Sequence, residues 1–331
     1  MGAKISVISY SFPKNKITNE NLQKEFPDYN FSKFEKKVGI VNRYVVDQGG
    51  SALGLAVEAC EKLLHVIDKD NIDFLLYCTQ SPEHFLPTTA CLLAKKLNLS
   101  TRIGALDFNL GCSGYTYGLS LAKGLIESGQ AKNVLLVTAE TYSKYINPKD
   151  KSNRAIFGDA ASATLISFSE CNDISQILFG TNGDGAENLI VKNGCTYPYD
   201  PKATEIVYGT DNIYTDNDLY MNGPEIFRFT TEEIPNFVLS ILKNQNLEIN
   251  DVDQYIFHQA NSFLLNQIRI QLNIPEDRFY VNLADGGNTV SSTIPIALKR
   301  YIDQNQSSSP RKIMLVGFGV GLSWSGGIIT L

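Results

Sequence analysis

Histidine is scarce in this chain: His65, His84 and His258 are the whole supply of imidazole, so a site that uses one has a short list of candidates. Cysteine is present but unpaired. Cys60, Cys78, Cys91, Cys112, Cys171 and Cys195 fall at irregular spacings without a C-x-x-C pair, which excludes the usual zinc and disulfide patterns and leaves most of them expected as small core hydrophobes. No stretch approaches the roughly 18 unbroken apolar residues of a membrane helix, and MGAKISVISYSFPKNKI lacks the apolar segment of a signal peptide. No membrane association and a cytoplasmic location are expected. A basic excess is also missing. With 29 Lys and Arg against 35 Asp and Glu, the formal charge is −6, which excludes general binding to nucleic acid or anionic lipid. A phosphate site would have to be local.

What is present is an ordinary α/β composition, 43% hydrophobic and 19% charged, in a chain long enough for two core-forming units. The chain also repeats itself. NIDFLLYCTQS (71–81) matches DVDQYIFHQAN (251–261) at an offset of 180, aligning Asp73 with Asp253 and Cys78 with His258. NVLLVTAE (133–140) matches KIMLVGFG (312–319) at an offset of 179. Such apolar runs suit central strands covered on both faces, and their alternation with helical stretches such as SALGLAVEACEKLLHVI predicts βαβ units. Two similar halves breaking near residue 170 are expected.

Three turns carry candidate chemistry. In LDFNLGCSGYTYGL, Cys112 lies between a strand and a small-residue helix, where unsatisfied N–H groups and the helix dipole favour a thiolate. A buried structural cysteine is the ordinary alternative. His258 in FHQAN follows an apolar strand and projects from the carboxyl edge of a sheet, the usual place for a site in open α/β folds. His65, among leucines, and His84, in a Pro-flanked loop, suit structural or surface roles better. Asn288 in GGNTVSSTIPIALKRY stands where the second half repeats the Cys112 turn, although asparagine after Gly-Gly is often a cap. A fourth segment, VGFGVGLSWSGG, has glycines that let backbone approach a ligand closely, or else forms a plain hairpin.

Together with IFGDAASATLI (156–166) and MNGPEIFRF (221–229), these blocks resemble the β-ketoacyl-acyl-carrier-protein synthase III family of thiolase-superfamily condensing enzymes, along nearly the whole chain. The resemblance implies a five-layered αβαβα fold built from two duplicated halves, 1–170 carrying the cysteine and 171–331 carrying the histidine and asparagine. It also implies a homodimer and a Cys112–His258–Asn288 triad. Cys112 would take an acyl group from acyl-CoA, with the backbone N–H groups of Cys112 and Gly321 stabilising the oxyanion, each worth about 3 kcal/mol. Malonyl-acyl carrier protein would then lose CO₂ and attack the acyl-cysteine. Neutral His258 and Asn288 can donate hydrogen bonds to the enolate, and since asparagine is no base, decarboxylation is favoured over removal of a carbon-bound proton. No cofactor is implied beyond the thioester substrates.

The chain departs from the family's pattern at its substrate contacts. Where relatives hold the adenine end of CoA with a Trp and an Arg, it has Lys33 to Lys37, and Lys37 keeps the charge without arginine's bidentate geometry. Lys151, with Arg154 nearby, stands at a further CoA-contacting position, and Asn261 closes the HQAN block. Leu86 replaces an aromatic that closes the acyl pocket across the dimer, which points to a larger or branched primer. Phe263 replaces a carrier-docking arginine, leaving Arg228 and Arg269 as the basic candidates for that role. Two other functions remain open: acyl transfer to an oxygen or nitrogen nucleophile, whose practitioners commonly lose the asparagine, and a non-catalytic partner subunit, which would lack the cysteine.

Overall fold

A computed structural model describes residues 2–305 and 309–331 of the chain. The repeated segments are the parallel pairs at the heart of two sheets. Phe74–Cys78 lies parallel to Asn133–Glu140 with Phe74 opposite Val134, and Gln254–Phe257 lies parallel to Lys312–Gly319 with Gln254 opposite Ile313. The repeated aspartates explain the register. Asp73 Oδ2 accepts from the Lys132 and Asn133 amides at 2.7 and 2.9 Å, and Asp253 Oδ2 accepts from the Lys312 amide at 2.8 Å. Each carboxylate thus pins the start of its neighbouring strand.

The first sheet has the order Gly2–Ser11, Ala160–Ser169, Asn133–Glu140, Phe74–Cys78, Gly104–Phe108, with the first two strands antiparallel to their neighbours. The second runs Gln254–Phe257, Lys312–Gly319, Ser323–Thr330, Leu178–Thr181. Because side chains alternate along a strand, each sheet buries two different faces. Leu75, Tyr77, Leu135 and Val137 meet helices Ala52–Leu64 and Thr89–Lys96 on one side, while Leu76, Val134 and Leu136 turn to the middle of the molecule. Tyr255, Phe257, Met314 and Val316 likewise face helices Gly223–Asn244 and Ser262–Gln271, and Ile256, Ile313 and Leu315 turn inward. Between the sheets lie helices Gly114–Glu127 and Thr293–Gln304, packed on both through Tyr115, Leu119, Ile294 and Leu298. Helices, sheet, helices, sheet, helices: the expected five-layered αβαβα fold is present.

The expectation for cysteine holds only in part. Cys60, Cys78 and Cys112 are buried, but Cys91, Cys171 and Cys195 are exposed, because they lie on an outward helix position or in surface loops and not in the strands and inner helices that form the core. His65 and His84 are exposed too.

One buried charge ties the outer layer to the centre. The guanidinium of Arg43, fully enclosed, donates from Nη2 to Asn19 Oδ1 and to the Ala155 carbonyl, both at 2.7 Å, and from Nη1 to the Ile17 carbonyl at 3.3 Å. Its strand, Asn42–Val45, pairs with Asp285–Gly286 just ahead of Asn288. Arg43→Ala leaves these acceptors buried and unpaired, and urea denaturation should find it destabilised by roughly 3 kcal/mol.

Candidate active site

Cys112 sits at the turn between Gly104–Phe108 and helix Gly114–Glu127, one residue before the helix N-cap. The glycine-rich segment of the second half closes over it. A Cβ on Gly319 would come within 2.9 Å of both Cβ and Sγ of Cys112, and one on Gly317 within 2.7 Å of its carbonyl oxygen. Backbone is therefore packed directly against the sulfur, which only glycine permits. The N–H groups of Val320 and of Cys112 itself reach the sulfur and favour its ionised form, but burial, reinforced by the charge of Glu140, outweighs them and pushes the thiol up to about 12. The helix terminus alone does not make a thiolate here.

Asn288 and His258 are oriented through one residue, Val290. The Asn288 side-chain carbonyl accepts the Val290 amide at 2.9 Å, so that among the described residues its NH₂ group has no partner and remains a donor. Its backbone is locked by Asn288 N–H to the Ile156 carbonyl and by Gly158 N–H to the Asn288 carbonyl. On the other side, the Val290 carbonyl accepts the Thr293 hydroxyl at 3.1 Å, and Thr293 Oγ1 lies 2.7 Å from His258 Nδ1. Phe318 stands edge-on to the imidazole with ring centroids 5.6 Å apart. Burial alone pushes His258 down to about 3, so the ring is neutral. Val290 reaches φ +55° to make these bonds, a strained value for a β-branched residue, and it packs in the same apolar cluster as Cys112. The turn reading of Asn288 holds, and among the described residues the other end of its side chain is without a partner.

The remaining candidates divide between surface and local structure. Lys37 Nζ lies 4.8 Å over the ring of Phe263, which stacks on Phe227 with centroids 5.5 Å apart, beside the exposed Arg228 bonded to Glu225. These residues form one patch. Lys151 contacts the Asp211 carbonyl and the face of Tyr29, and Arg154 pairs with Glu25 at 2.6 Å and lies over Phe26. Asn261 caps its own helix through the Leu264 amide. Arg269 donates from its guanidinium to Asn266 Oδ1 and to the Ile274 carbonyl just beyond its helix. Leu86 is 82% exposed. Gly321 adopts φ +140°, and the backbone donor that reaches the sulfur belongs to its neighbour Val320.

Two residues escape the sequence reading. Thr293 is one; it sits five positions beyond Asn288 and resembles any helix-start threonine. Glu140 is the other. It ends the apolar run NVLLVTAE and is wholly buried, accepting from the Gln80 amide, Ser81 Oγ at 3.1 Å and Ser291 Oγ at 2.9 Å. Burial pushes it up to about 8, against those hydrogen bonds. A single carboxylate closing a β-branched run is the signal that was available.

The five-layered fold, with Cys112, His258 and Asn288 buried at turns that follow strands, is that of a thiolase-fold condensing enzyme. Residues 106–185 match the family model for 3-oxoacyl-[acyl-carrier-protein] synthase III, and residues 242–331 match that for its C-terminal part. A β-ketoacyl-[acyl-carrier-protein] synthase III of Clostridium perfringens is 35% identical over 324 residues, 96% of each chain. A crystal structure of a 3-oxoacyl-(acyl-carrier-protein) synthase III superposes with a TM-score of 0.97 at 42% identity over the full length of both chains, and one of a 3-oxoacyl-(acyl-carrier-protein) synthase from Burkholderia xenovorans with 0.92 at 33%, covering 100% of this chain and 94% of that one. The chain belongs to the 3-oxoacyl-[acyl-carrier-protein] synthase III family, and it is an acyltransferase of the condensing type.

Glu140 generates a pH prediction. Below about pH 4.5, its ordinary value, folded and unfolded chains both hold the proton; above it the unfolded chain releases the proton first, so stability falls with rising pH until the folded group ionises near pH 8. The stability difference between wild type and Glu140→Gln, measured by urea denaturation at about pH 5, 7 and 9, should shift against wild type by on the order of 4 kcal/mol and then level off. A pH-independent difference would contradict the buried-acid assignment.

Proposed function

We propose that the chain catalyses a decarboxylating Claisen condensation of an acyl-CoA primer with malonyl-acyl carrier protein, in fatty-acid or related lipid or polyketide biosynthesis, with Cys112 as the acyl carrier. The observation that carries this reading is the placing of Asn288. Its carbonyl is consumed by the Val290 amide and its NH₂ is left over, which makes the residue a donor and not a base. A donor suits the oxyanion of a thioester enolate formed by loss of CO₂; removal of a carbon-bound proton would require a group that accepts one. In loading, the Cys112 sulfur bonds to the acyl carbonyl carbon and the CoA thiolate leaves. In condensation, the C–CO₂ bond of the malonyl group breaks, its electron pair forms the new C–C bond, and Cys112 is expelled. The N–H groups of Cys112 and the 320–321 segment would stabilise the charged oxygen in the steps on sulfur. Transfer to an oxygen or nitrogen nucleophile would leave the Asn288 donor without a task.

The same reading includes a homodimer of chains whose halves are 1–170 and 171–331. Gly104–Phe108 is an edge strand of its sheet, an invitation to strand pairing, and it exposes Leu106 near the exposed Phe85 and Leu86 of the Pro-flanked loop. A second copy added there would cover an apolar surface and place Leu86 against its neighbour. For the acidic carrier we favour the patch of Lys37, Phe227, Arg228 and Phe263, where cations offset the chain's negative charge locally. Lys151 and Arg154, next to the aromatics of residues 26–34, remain candidates for the CoA end, and Asn261 for the pantetheine arm.

Cys112→Ala should accept no acyl group from any acyl-CoA by intact-protein mass spectrometry, since no other covalent carrier is proposed. Asn288→Ala should load normally but decarboxylate malonyl-carrier protein about 100-fold more slowly; equal loss in both half-reactions would undo this division of roles. Arg228→Glu, which also sets a second carboxylate beside Glu225, should raise the apparent KM for malonyl carrier protein several-fold at low salt, leaving acyl-CoA loading unchanged.

A further inference from the structure

We propose that Glu140 is a positioning residue for Asn288: from the end of a first-half strand it holds the strained second-half turn whose N–H fixes the Asn288 side chain. The inference rests on the donor role proposed for Asn288 and names what keeps that donor aimed. Thr138 and Glu140 lie two positions apart at the close of strand Asn133–Glu140, so they leave it on one face, the inward face that already carries Val134 and Leu136. Opposite them is the short turn Val290–Ser292, and its two serines meet them in order. Ser291 Oγ donates to Glu140 Oε1 at 2.9 Å, while Ser292 Oγ lies 2.8 Å from Thr138 Oγ1 and 3.2 Å from the Thr138 carbonyl. All four residues are buried, so water does not compete for these bonds.

The carboxyl of Glu140 is itself fixed on its far side. Ser81 Oγ donates to Oε2 at 3.1 Å, and the Gln80 amide reaches both oxygens at 3.1 and 3.2 Å. Ser81 is held in turn, because its oxygen accepts the Thr141 amide at 3.0 Å. The group is a post set between the ends of two neighbouring strands of the first sheet, with one oxygen turned to the second half. Its bond to Ser291 survives either protonation state, since a carboxylate accepts the serine hydroxyl and a carboxylic acid can donate to it. What the post holds is under strain. Val290, adjoining Ser291, sits at φ +55°, a conformation that a β-branched residue keeps only where its surroundings enforce it. If the turn relaxed, the Val290 amide would move off Asn288 Oδ1, which it now meets at 2.9 Å, and the asparagine would lose its orientation. The turn of Cys112 is tied to the second half separately, by Ser113 Oγ and Ser323 Oγ at 2.8 Å.

Glu140→Ala and Ser291→Ala each delete one end of the contact. Glu140→Gln keeps it, because an amide oxygen can accept from Gln80 and Ser81 while its NH₂ donates to Ser291 Oγ. Hydrogen exchange of the peptide covering residues 288–292, followed by mass spectrometry, reads the turn without turnover. Exchange should quicken roughly tenfold to a hundredfold in the two alanine variants and stay near wild type in Glu140→Gln. Decarboxylation of malonyl-carrier protein should fall by a similar factor in the alanine variants, well beyond any change in acylation of Cys112 by acetyl-, isobutyryl- or hexanoyl-CoA, and should recover in Glu140→Gln. The double variant should be no slower than Glu140→Ala alone, since the two side chains act as one bond. Unchanged exchange in folded Ser291→Ala overturns the proposal even if Glu140→Ala fails to fold. Equal losses in both half-reactions also overturn it, as does undiminished decarboxylation in the alanine variants when Asn288→Ala is slow. If exchange quickens but Asn288→Ala decarboxylates normally, the turn is held as proposed and the donor role of Asn288 is what fails.

Discussion

Both polar side chains of the site take their orientation from the peptide groups of Val290: its N–H fixes Asn288, and its carbonyl fixes Thr293 and through it His258. A valine at φ +55° is an unfavourable thing to keep, at a cost on the order of 1–3 kcal/mol, and the surroundings over-determine it. The preceding turn is anchored by backbone bonds between Ile156, Gly158 and Asn288, and its side chain is buried against Cys112. Arg43 belongs to the same construction, since its strand holds residues 285–286 while its guanidinium holds Ala155. The strain sits in the turn that carries Asn288, packed in the same apolar cluster as Cys112.

Burial gives the site its electrical character. Cys112, Glu140 and His258 all move toward their neutral forms, the acids upward and the base downward. In such surroundings a charge appears only when a bond is being made, and the fixed N–H groups near the sulfur are already in place for it. Glu140 is the group that most opposes ionisation of the thiol, yet Gln80, Ser81 and Ser291 satisfy its oxygens, which suits a structural acid bridging the two halves.

The architecture was legible because its determinants repeat: Asp73 and Asp253 begin equivalent strands, and a period of about 180 residues announces the duplication. The places of Cys112, His258 and Asn288 at turns after strands were legible because glycines and strand ends surround them. Thr293 and Glu140 were not, since they act through contacts with residues distant in the chain, His258 for the one and Gln80, Ser81 and Ser291 for the other. Arg269 is the opposite case. Helical phase places it on a face, but only the structure reveals that Asn266 and the Ile274 carbonyl have claimed its donors. Composition said cysteine was a core residue and could not say which three would be exposed, one on a helix and two in loops.

The two aspartate locks join residues 59 positions apart within each half, whereas the bonds that assemble the site, Ser113 with Ser323 and Ser291 with Glu140, span 210 and 151 positions. Closing the longer loop costs about 1 kcal/mol more, and it brings together surfaces that exist only once each sheet has formed. The site therefore depends on bonds made between the two sheet-bearing halves, in addition to the pairing within each sheet.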